Sequence, residues 1–524
     1  MRRWARRYPT CCLLYLPIVS YARGYAYAKS EGKFGRNPGR PAVSASLETA
    51  TTVSAPERRT QRWVLVVCCM SVLLVSLDVT IVNVALPSIQ QGLDATVNGL
   101  QWILDAYTLV MAALLLMAGS MADRFGRRRI FLLGIAVFTL GSVLCAVAPS
   151  LGFLIAARVI QALGGAMLNP VAVSILRNTF HDPKARSRAI GIWAGVIGIS
   201  IALGPIVGGL LVDGPGWRYI FLVNAPIGIA AIILAARVIP EGRAARPRRF
   251  DAVGQVLVIV LLVTLVYGII EGARLGWSSP AVIGCFAVTV AAVTALVLYE
   301  RRRVEPLLDV RVFRSIPFSG AAVMAACVFA GTAGSLFLST LYLQSARGYS
   351  ALEAGLYSLP AAVMTLVLSP VAGRIAGKHG SRWLFIAAGL ARIAAGLLLI
   401  GLTLHTPPGL IVLAFALNGA GMGLANPPIS ATAMSGMPAA QAGVAGGITA
   451  AANQIGASLG VAILGATLGI NATGLTGPAY AEATHTGWLI LASIGALIVV
   501  LGVVTTSRGA LKTAEKAATE LMAE

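Results

Sequence analysis

Fourteen long apolar stretches, parted by short charged loops, dominate this chain and leave it little choice of solvent. A helix needs about 20 apolar residues to cross the roughly 30 Å hydrocarbon layer of a bilayer. Such stretches fall at 63–86, 101–121, 130–148, 151–172, 189–211, 219–238, 253–270, 279–299, 316–344, 354–373, 383–404, 409–427, 442–469 and 486–505. Numbered in order as spans 1 to 14, they predict an all-α polytopic membrane protein. Only 12% of residues are charged and 57% are hydrophobic, against about 25% charged in a soluble domain. In water such a chain would expose large apolar patches. The formal net charge of +21 does not mark a nucleic-acid partner, because the basic residues sit in short clusters between the apolar runs.

Those clusters give an independent test of the span count. Alternate loops are rich in base: Arg124 and Arg127–Arg129 after span 2; Arg177, Lys184, Arg186 and Arg188 after span 4; Arg237, Arg243, Arg246, Arg248 and Arg249 after span 6. The pattern continues with Arg301–Arg303, Arg311 and Arg314 after span 8, and Arg374, Lys378 and Arg382 after span 10. The intervening loops hold only Arg218, Arg274 and Arg347. Basic loops stay on the cytoplasmic side, so both termini are expected inside a bacterial cytoplasmic membrane. Dropping one span would scramble the alternation.

The arm 1–62 opens on Arg2, Arg3, Arg6 and Arg7, followed by a short apolar run from Cys11 to Val19. That run resembles a signal peptide, but the reading adopted is a basic, disordered cytoplasmic extension. The tail from about 506 is short and helix-like, with no room for a signalling domain. Cys68, Cys69, Cys145, Cys285 and Cys327 lie inside apolar runs, so no disulfide framework is expected. No His/Cys/Asp/Glu cluster has metal-ligand spacing.

The chain also repeats itself. Gly119-Ser-Met-Ala122-Asp123-Arg124-Phe-Gly126-Arg127-Arg128 follows span 2, and Gly373-Arg-Ile-Ala376-Gly377-Lys378-His-Gly380-Ser381-Arg382 follows span 10. Gly, Ala, Gly and Arg coincide at one constant offset. Related halves are typical of secondary transporters, with the substrate site between them. The offset sets span 3 opposite span 11, leaving spans 7 and 8 between two six-helix halves. The expected domains are 63–238, a linker pair with its loops at 239–315, and 316–505, flanked by the arm and by a tail at 506–524.

At these residues the chain resembles the major facilitator superfamily, and within it the fourteen-span drug:proton antiporters. The loop 119–128 looks like the signature loop of that superfamily. Arg158-Val-Ile-Gln161-Ala162 in span 4 resembles its intramembrane Arg-x-x-Gln-Gly motif, with alanine in place of glycine. Ser200, Gly204-Pro205 and Gly208-Gly209 in span 5 resemble its antiporter motif, with Ser200 replacing a glycine. Leu77-Asp78-Val-Thr80-Ile-Val-Asn83-Val-Ala-Leu-Pro87 and Trp217-Arg218-Tyr-Ile-Phe-Leu-Val-Asn224-Ala-Pro226 look like motifs of the fourteen-span subgroup. The resemblance covers about 62–505. It implies a major facilitator fold, a substrate cavity lined by spans 1 and 4, and a proton gradient as the energy source. No cofactor is expected.

Ionisable groups inside spans are costly and mark functional sites by default. Four stand out: Asp78, Asp105, Arg158 and Arg392. At about 1.5 Å per residue, Asp78 and Arg158 reach one depth, roughly 10–12 Å below the outer ends of their spans. They can pair, either as a structural lock or as the proton-coupling site. Desolvation opposes ionisation of a buried carboxylate and a neighbouring guanidinium favours it, so its proton can come and go. Gln161, three residues from Arg158, shares its helix face and can orient it. Asp105 is a second coupling candidate, or else an interfacial carboxylate reaching for headgroups beside Trp102 and Tyr107. Arg392 has no acid in a neighbouring span and is expected to bond carbonyls or to snorkel inward.

Gly119, Asp123, Arg124, Gly126, Arg127 and Arg128 form a candidate cytoplasmic gate, in which Asp123 pairs with Arg127 or caps a helix of the other half. Ser200, Gly204 and Gly208 make a small face for close helix contact. With Pro205 and Gly209 they form a candidate antiporter hinge. Gln161 is also a candidate cavity group, and Tyr342, Gln344, Asn418, Asn453 and Gln454 are candidate cavity groups or equally helix–helix bonds. The glycine runs contain no phosphate-binding Gly-Lys-Ser/Thr, so ATP is not the direct fuel. No nucleophile–base pair suggests an enzyme.

The function expected is proton-coupled export of drugs, toxic cations or antibiotics by a monomer in the lipid bilayer. Its partners are small molecules and protons. A dedicated exporter of one endogenous metabolite or lipid uses the same machinery, and a non-transporting receptor ranks below both. Span 10 has no interior acid, which counts against doubly charged cations.

Overall fold

The computed structural model describes residues 55–243, 251–303, 310–435, 442–468 and 478–522. Among them, 14 helices are long and apolar enough to cross a bilayer. They run Arg59–Leu93, Val97–Leu115, Arg127–Ala146, Leu151–Thr179, Pro183–Asp213, Tyr219–Val238 and Ala252–Leu275 (spans 1 to 7). Pro280–Glu300, Ile316–Ala346, Ala351–His379, Arg382–Ile400, Pro408–Met434, Ala445–Ala466 and Ala481–Thr505 follow as spans 8 to 14. Most expected stretches extend by several residues, because helices run past the apolar layer into the loops. Residues 55–62, read from the sequence as part of a disordered arm, are already helical. The rest of the arm, with Cys11 and Cys12, lies outside the described residues, as do Arg246, Arg248 and Arg249.

Local chemistry explains where the helices begin. Thr96, Ser150, Asp182, Asp251 and Ser315 each accept a hydrogen bond from the backbone three residues on, satisfying donors that a helix start leaves open. Ser350 and Glu353 form a reciprocal capping box at span 10. Gly276, at φ 86°, ends span 7, and Pro280 opens span 8 after Ser279. That left-handed glycine lets the short connection reverse the chain, so the pair 7–8 is a genuine hairpin.

The described helices pack in two groups. Span 4 packs on spans 2 and 3, and span 3 on span 6; likewise spans 9 and 13, 10 and 12, and 11 and 14 pack together. Spans 2 and 13, and spans 5 and 10, join these two groups, while span 7 lies against spans 2 and 13 with span 8 outside it. Glycines allow the closest approaches. A Cβ at Gly141 would meet the Gln161 backbone at 2.5 Å, and one at Gly134 would stand 3.0 Å from Met167. Spans 3 and 4 therefore touch backbone to backbone.

The end of the bundle opposite the arginine-rich loops is closed. Asp213, ending span 5, accepts from Ala351 N (3.1 Å) and Leu352 N (2.9 Å), capping span 10. Gln344 Nε2 donates to Val84 O of span 1 (2.8 Å). Gln101 Nε2 of span 2 donates to Val461 O and Ala462 O of span 13 (3.1 and 3.0 Å). The C-terminal helix Arg508–Met522 buries Ala510, Ala514 and Ala517, and Thr513 Oγ1 accepts from Ile316 N at the start of span 9 (3.0 Å).

Candidate functional site

Asp78 and Arg158 meet as their depths predict. Arg158 Nη1 donates to Asp78 Oδ2 at 2.5 Å, with the side chains 1% and 0% exposed. The pair is one part of a larger network. Gln161 Nε2 donates to Asp78 Oδ1 (2.7 Å) and to Ser142 Oγ (2.7 Å), and Gln161 Oε1 accepts from Arg158 Nη1 (2.7 Å). Asn224 Nδ2, from span 6, donates to Asp78 Oδ1 (3.2 Å) and Ser142 Oγ (3.3 Å). Arg158 Nε donates to Ile103 O (3.2 Å), and the guanidinium lies 4.2 Å from the Tyr107 ring centroid. Spans 1, 2, 3, 4 and 6 thus converge on one carboxylate.

Several of these contacts depend on small residues. Gly141 brings span 3 against Gln161, setting Ser142 beside it, and Gly228 makes room for Thr139 where span 6 meets span 3. Sequence reasoning named Asp78, Arg158 and Gln161. It quoted Asn224 only as part of a motif and passed over Ser142, a lone serine in an apolar run with no spacing signal. An isolated buried charge is very costly, but a paired and hydrogen-bonded one is tolerated. Arg158, Gln161 and Asn224 each donate to Asp78. Both charges of the network are sealed from solvent in this structure.

Asp105 is fully buried rather than interfacial, so it does not reach for headgroups. Its Oδ1 accepts from Thr108 Oγ1 (3.4 Å), while Oδ2 has no hydrogen-bond partner among the described residues. Ser458 of span 13 lies nearby, setting this carboxylate at the contact of spans 2 and 13. Arg392 bonds backbone and hydroxyl as expected: Nη1 to Val328 O (2.9 Å) and Nη2 to Thr332 Oγ1 (3.0 Å).

The gate residues behave differently from one of the two expected arrangements. Arg127 pairs with Asp123 (Nη2 to Oδ1, 2.9 Å). The expected loop is helical up to Phe125 and again from Arg127, with only Gly126 between, and further bonds of this junction go to the last turn of span 6 and the segment after it. Arg127 N donates to Gly242 O (2.9 Å), Arg129 Nε stands 3.5 Å from Glu241 Oε2, and Arg128 donates to Ala236 O. Gly126, at φ 109°, sits against Glu241 where a side chain would collide. No described bond carries Asp123 to a helix of spans 9–14. Arg124 stacks near Phe125, at 5.7 Å from its centroid. A Cβ at Gly119 would meet nothing within 4 Å.

In span 5, Gly204 and Gly208 face Thr80, Ile81 and Val84 of span 1, with a Cβ at Gly208 standing 3.2 Å from Ile81 O. Gly209 faces span 10, where an added Cβ would stand 2.7 Å from Leu352 N, and Pro205 abuts Gly355. Ser200 is buried, its hydroxyl turned back to Val196 O (2.7 Å). One helix thus touches spans 1 and 10 through two small faces.

The candidate cavity groups of the second half have the following partners. Tyr342 is buried and donates to Thr403 O (2.7 Å), and with Gln344 it lies in a π-helical turn at the closed end. Asn418 Nδ2 donates to Ser335 Oγ (2.7 Å), joining spans 12 and 9. Asn453 and Gln454 are half-buried on span 13, and Asn453 Oδ1 is unpartnered. Among the described residues no His/Cys/Asp/Glu group could hold a metal, and the described cysteines are free.

Residues 68–461 match the family model of the Major Facilitator Superfamily. Over 410 residues the chain is 38% identical to the Multidrug resistance protein Stp of Mycobacterium tuberculosis (strain CDC 1551 / Oshkosh), covering 78% of this chain and 76% of that protein. It is 38% identical to the Tetracenomycin C resistance and export protein of Streptomyces glaucescens, covering 76% and 74%. It is 35% identical to the Multidrug efflux pump LfrA of Mycolicibacterium smegmatis, covering 81% and 84%.

Proposed function

The chain belongs to the major facilitator superfamily, and from that premise we propose that it is a proton-coupled antiporter exporting amphiphilic small molecules by alternating access. The observation that carries the reading is the buried Asp78–Arg158 pair with Gln161 and Asn224 upon it. Protonation of Asp78 cancels its attraction for Arg158 and frees the guanidinium to rearrange. Loss of the proton rebuilds the network. A helix junction that exists in two protonation states is a two-state element of the kind that coupled transport needs. Asp105, at the contact of spans 2 and 13, is a second place where a proton can bias the two halves.

The topology proposed is N-in and C-in, in a bacterial cytoplasmic membrane, with the arginine-rich face inside. The halves 63–238 and 316–505 rock about the contacts of spans 5 and 10 and of spans 2 and 13, and one chain suffices for a cycle. The junction 119–128, helical but for Gly126, steadies the inner end of the first half through Asp123 and Arg127, and the glycines of span 5 form the hinge. Relatives named for one antibiotic, such as the tetracenomycin C exporter, favour a second reading: export of a single endogenous product. Ethidium flux in proteoliposomes under an imposed pH gradient tests the main reading. Gradient-driven flux that Asp78→Asn abolishes supports it. Flux that ignores the gradient sinks it, and flux of one natural product but of no drug in a panel supports the second reading.

A further inference from the structure

Spans 7 and 8 stand outside the internal repeat, and their bonds are shared unevenly between the two halves. Span 7 lies against span 2 of the first half and span 13 of the second. Its polar contacts go to span 2. Near the arginine-rich face Gln255 Nε2 donates to Ala113 O (2.7 Å). Near the closed end Asn98 Nδ2 donates to Ile270 O (3.2 Å) and Trp102 Nε1 to Glu271 Oε1 (3.4 Å), with the Trp102 and Tyr267 rings 6.0 Å apart. Toward span 13 the contact is apolar: Leu262, Val266 and Ile270 share a core with Ala462, beside Ile455 and Leu459. Among the described residues no side-chain hydrogen bond joins span 7 to span 13.

The hairpin of spans 7 and 8 is bonded within itself. The Thr264 and Thr289 hydroxyls share a hydrogen bond (2.8 Å). Asp251 Oδ1 accepts from Tyr299 OH (3.1 Å), with Arg303 Nη2 3.8 Å away, so its ends at the arginine-rich face are held together. The chain entering the hairpin is tied to the first half: Ile239 is buried in the core of that half, and Gly242 O accepts from Arg127 N (2.9 Å). The chain leaving it is tied to the second half. In the turn Val310–Arg314, Val312 shares a core with Phe318 and Ala321 of span 9. Phe313 O accepts from Ser319 Oγ (2.6 Å), and the Phe313 and Phe318 rings meet edge to face at 5.3 Å.

In a bilayer these two kinds of contact resist parting unequally. Acyl chains are as apolar as the helix face they replace, so an apolar contact is given up at little cost. A hydrogen bond broken in hydrocarbon leaves polar groups that lipid cannot satisfy. We infer that spans 7 and 8 are carried by the first half, so that the two bodies that rock are 55–303 and 310–522, and the chain passes from one to the other between Arg303 and Val310. Span 7 then slides on span 13 while it keeps its place on span 2. The pair is an extension of the first half and not a strap between the halves. This rests on the transport reading, because it needs halves that move.

The test is pulsed electron–electron resonance between spin labels on the full chain in liposomes, with its native cysteines replaced by alanine. Leu133→Cys on span 3, Val253→Cys on span 7 and Trp383→Cys on span 11 are all exposed positions near the arginine-rich face. They are labelled in pairs and compared as the pH is lowered through the carboxylate range, and again with Asp78→Asn as the protonated mimic. The Leu133–Trp383 and Val253–Trp383 distances should shift together, and the Leu133–Val253 distance should stay fixed. Asn98→Ala with Gln255→Leu, which unfastens span 7 from span 2, should broaden the Leu133–Val253 distribution; a distribution left as sharp as before would show that these bonds do not hold the pair. A Val253 label that keeps its distance to Trp383 while Leu133 moves, or that moves against both, overturns the inference alone. A Leu133–Trp383 distance that never changes removes the rocking of the halves and the inference with it.

Discussion

At the scale of single residues, the chain concentrates its risk in one place. Asp78 and Arg158 are both fully buried, and removing one partner of such a pair costs about 3–5 kcal/mol because the other charge is stranded. Arg158→Ala should therefore lower the thermal midpoint in detergent sharply, and Asp78→Asn with Arg158→Gln together should recover most of it. Equal midpoints for single and double variants would show that the pair stores no such penalty. Asn224→Ala should weaken coupling without abolishing transport, since it removes one of three donors to Asp78; loss of all flux would make Asn224 part of the substrate site instead. The repeat offset carries Asp78 onto Thr332 and Arg158 onto Val412, so the second half repeats neither charge at these positions; Thr332 accepts instead from Arg392, which has no counterpart in the first half. The charges Asp78 and Arg158 were legible in the sequence because charge inside an apolar run is rare. Ser142 was not, because a small hydroxyl is ordinary in any span and only the fold shows what it faces.

At the scale of helices, close packing and caps decide which spans can meet. Gly141 and Gly164 hold spans 3 and 4 in backbone contact, and forcing a side chain into such a contact costs about 1–3 kcal/mol. Gly164→Leu should reduce stability and displace Ser142 from Gln161. A variant as stable as the parent would show that the spans can separate freely. Asp213 caps span 10 from the other group of helices, and losing a cap costs about 1 kcal/mol. Asp213→Ala should widen the closed end, seen as a longer distance component between spin labels on spans 5 and 10. An unchanged distribution would remove Asp213 from the seal. The small face of span 5 was readable from its spacing, but not that its two sides serve spans 1 and 10. For Tyr342 and Gln344 the sequence left a cavity role and a helix–helix bond equally open, and in this structure each donates to a backbone carbonyl. A polar residue near a span end bonds backbone as readily as ligand, and sequence gives no direction for the side chain.

At the scale of the whole molecule, the count of 14 spans followed from hydropathy and loop charge together, two signals with separate physical origins. The packing of span 7 between spans 2 and 13 did not follow, because an apolar helix in lipid carries no mark of its neighbours. The closed end opposite the arginine-rich loops, joined by Asp213, Gln344 and Gln101, describes one state of a two-state cycle in the proposed mechanism. In that cycle drug and proton compete, so drug binding should weaken as pH falls and become flat with pH in Asp78→Asn. The most direct test of the central claim follows protons rather than drug. In proteoliposomes holding a pH dye, an imposed drug gradient should drive a proton counterflux through the wild-type protein and none through Asp78→Asn. A wild type that moves drug without moving protons, or an Asp78→Asn variant that still exchanges the two, would contradict it.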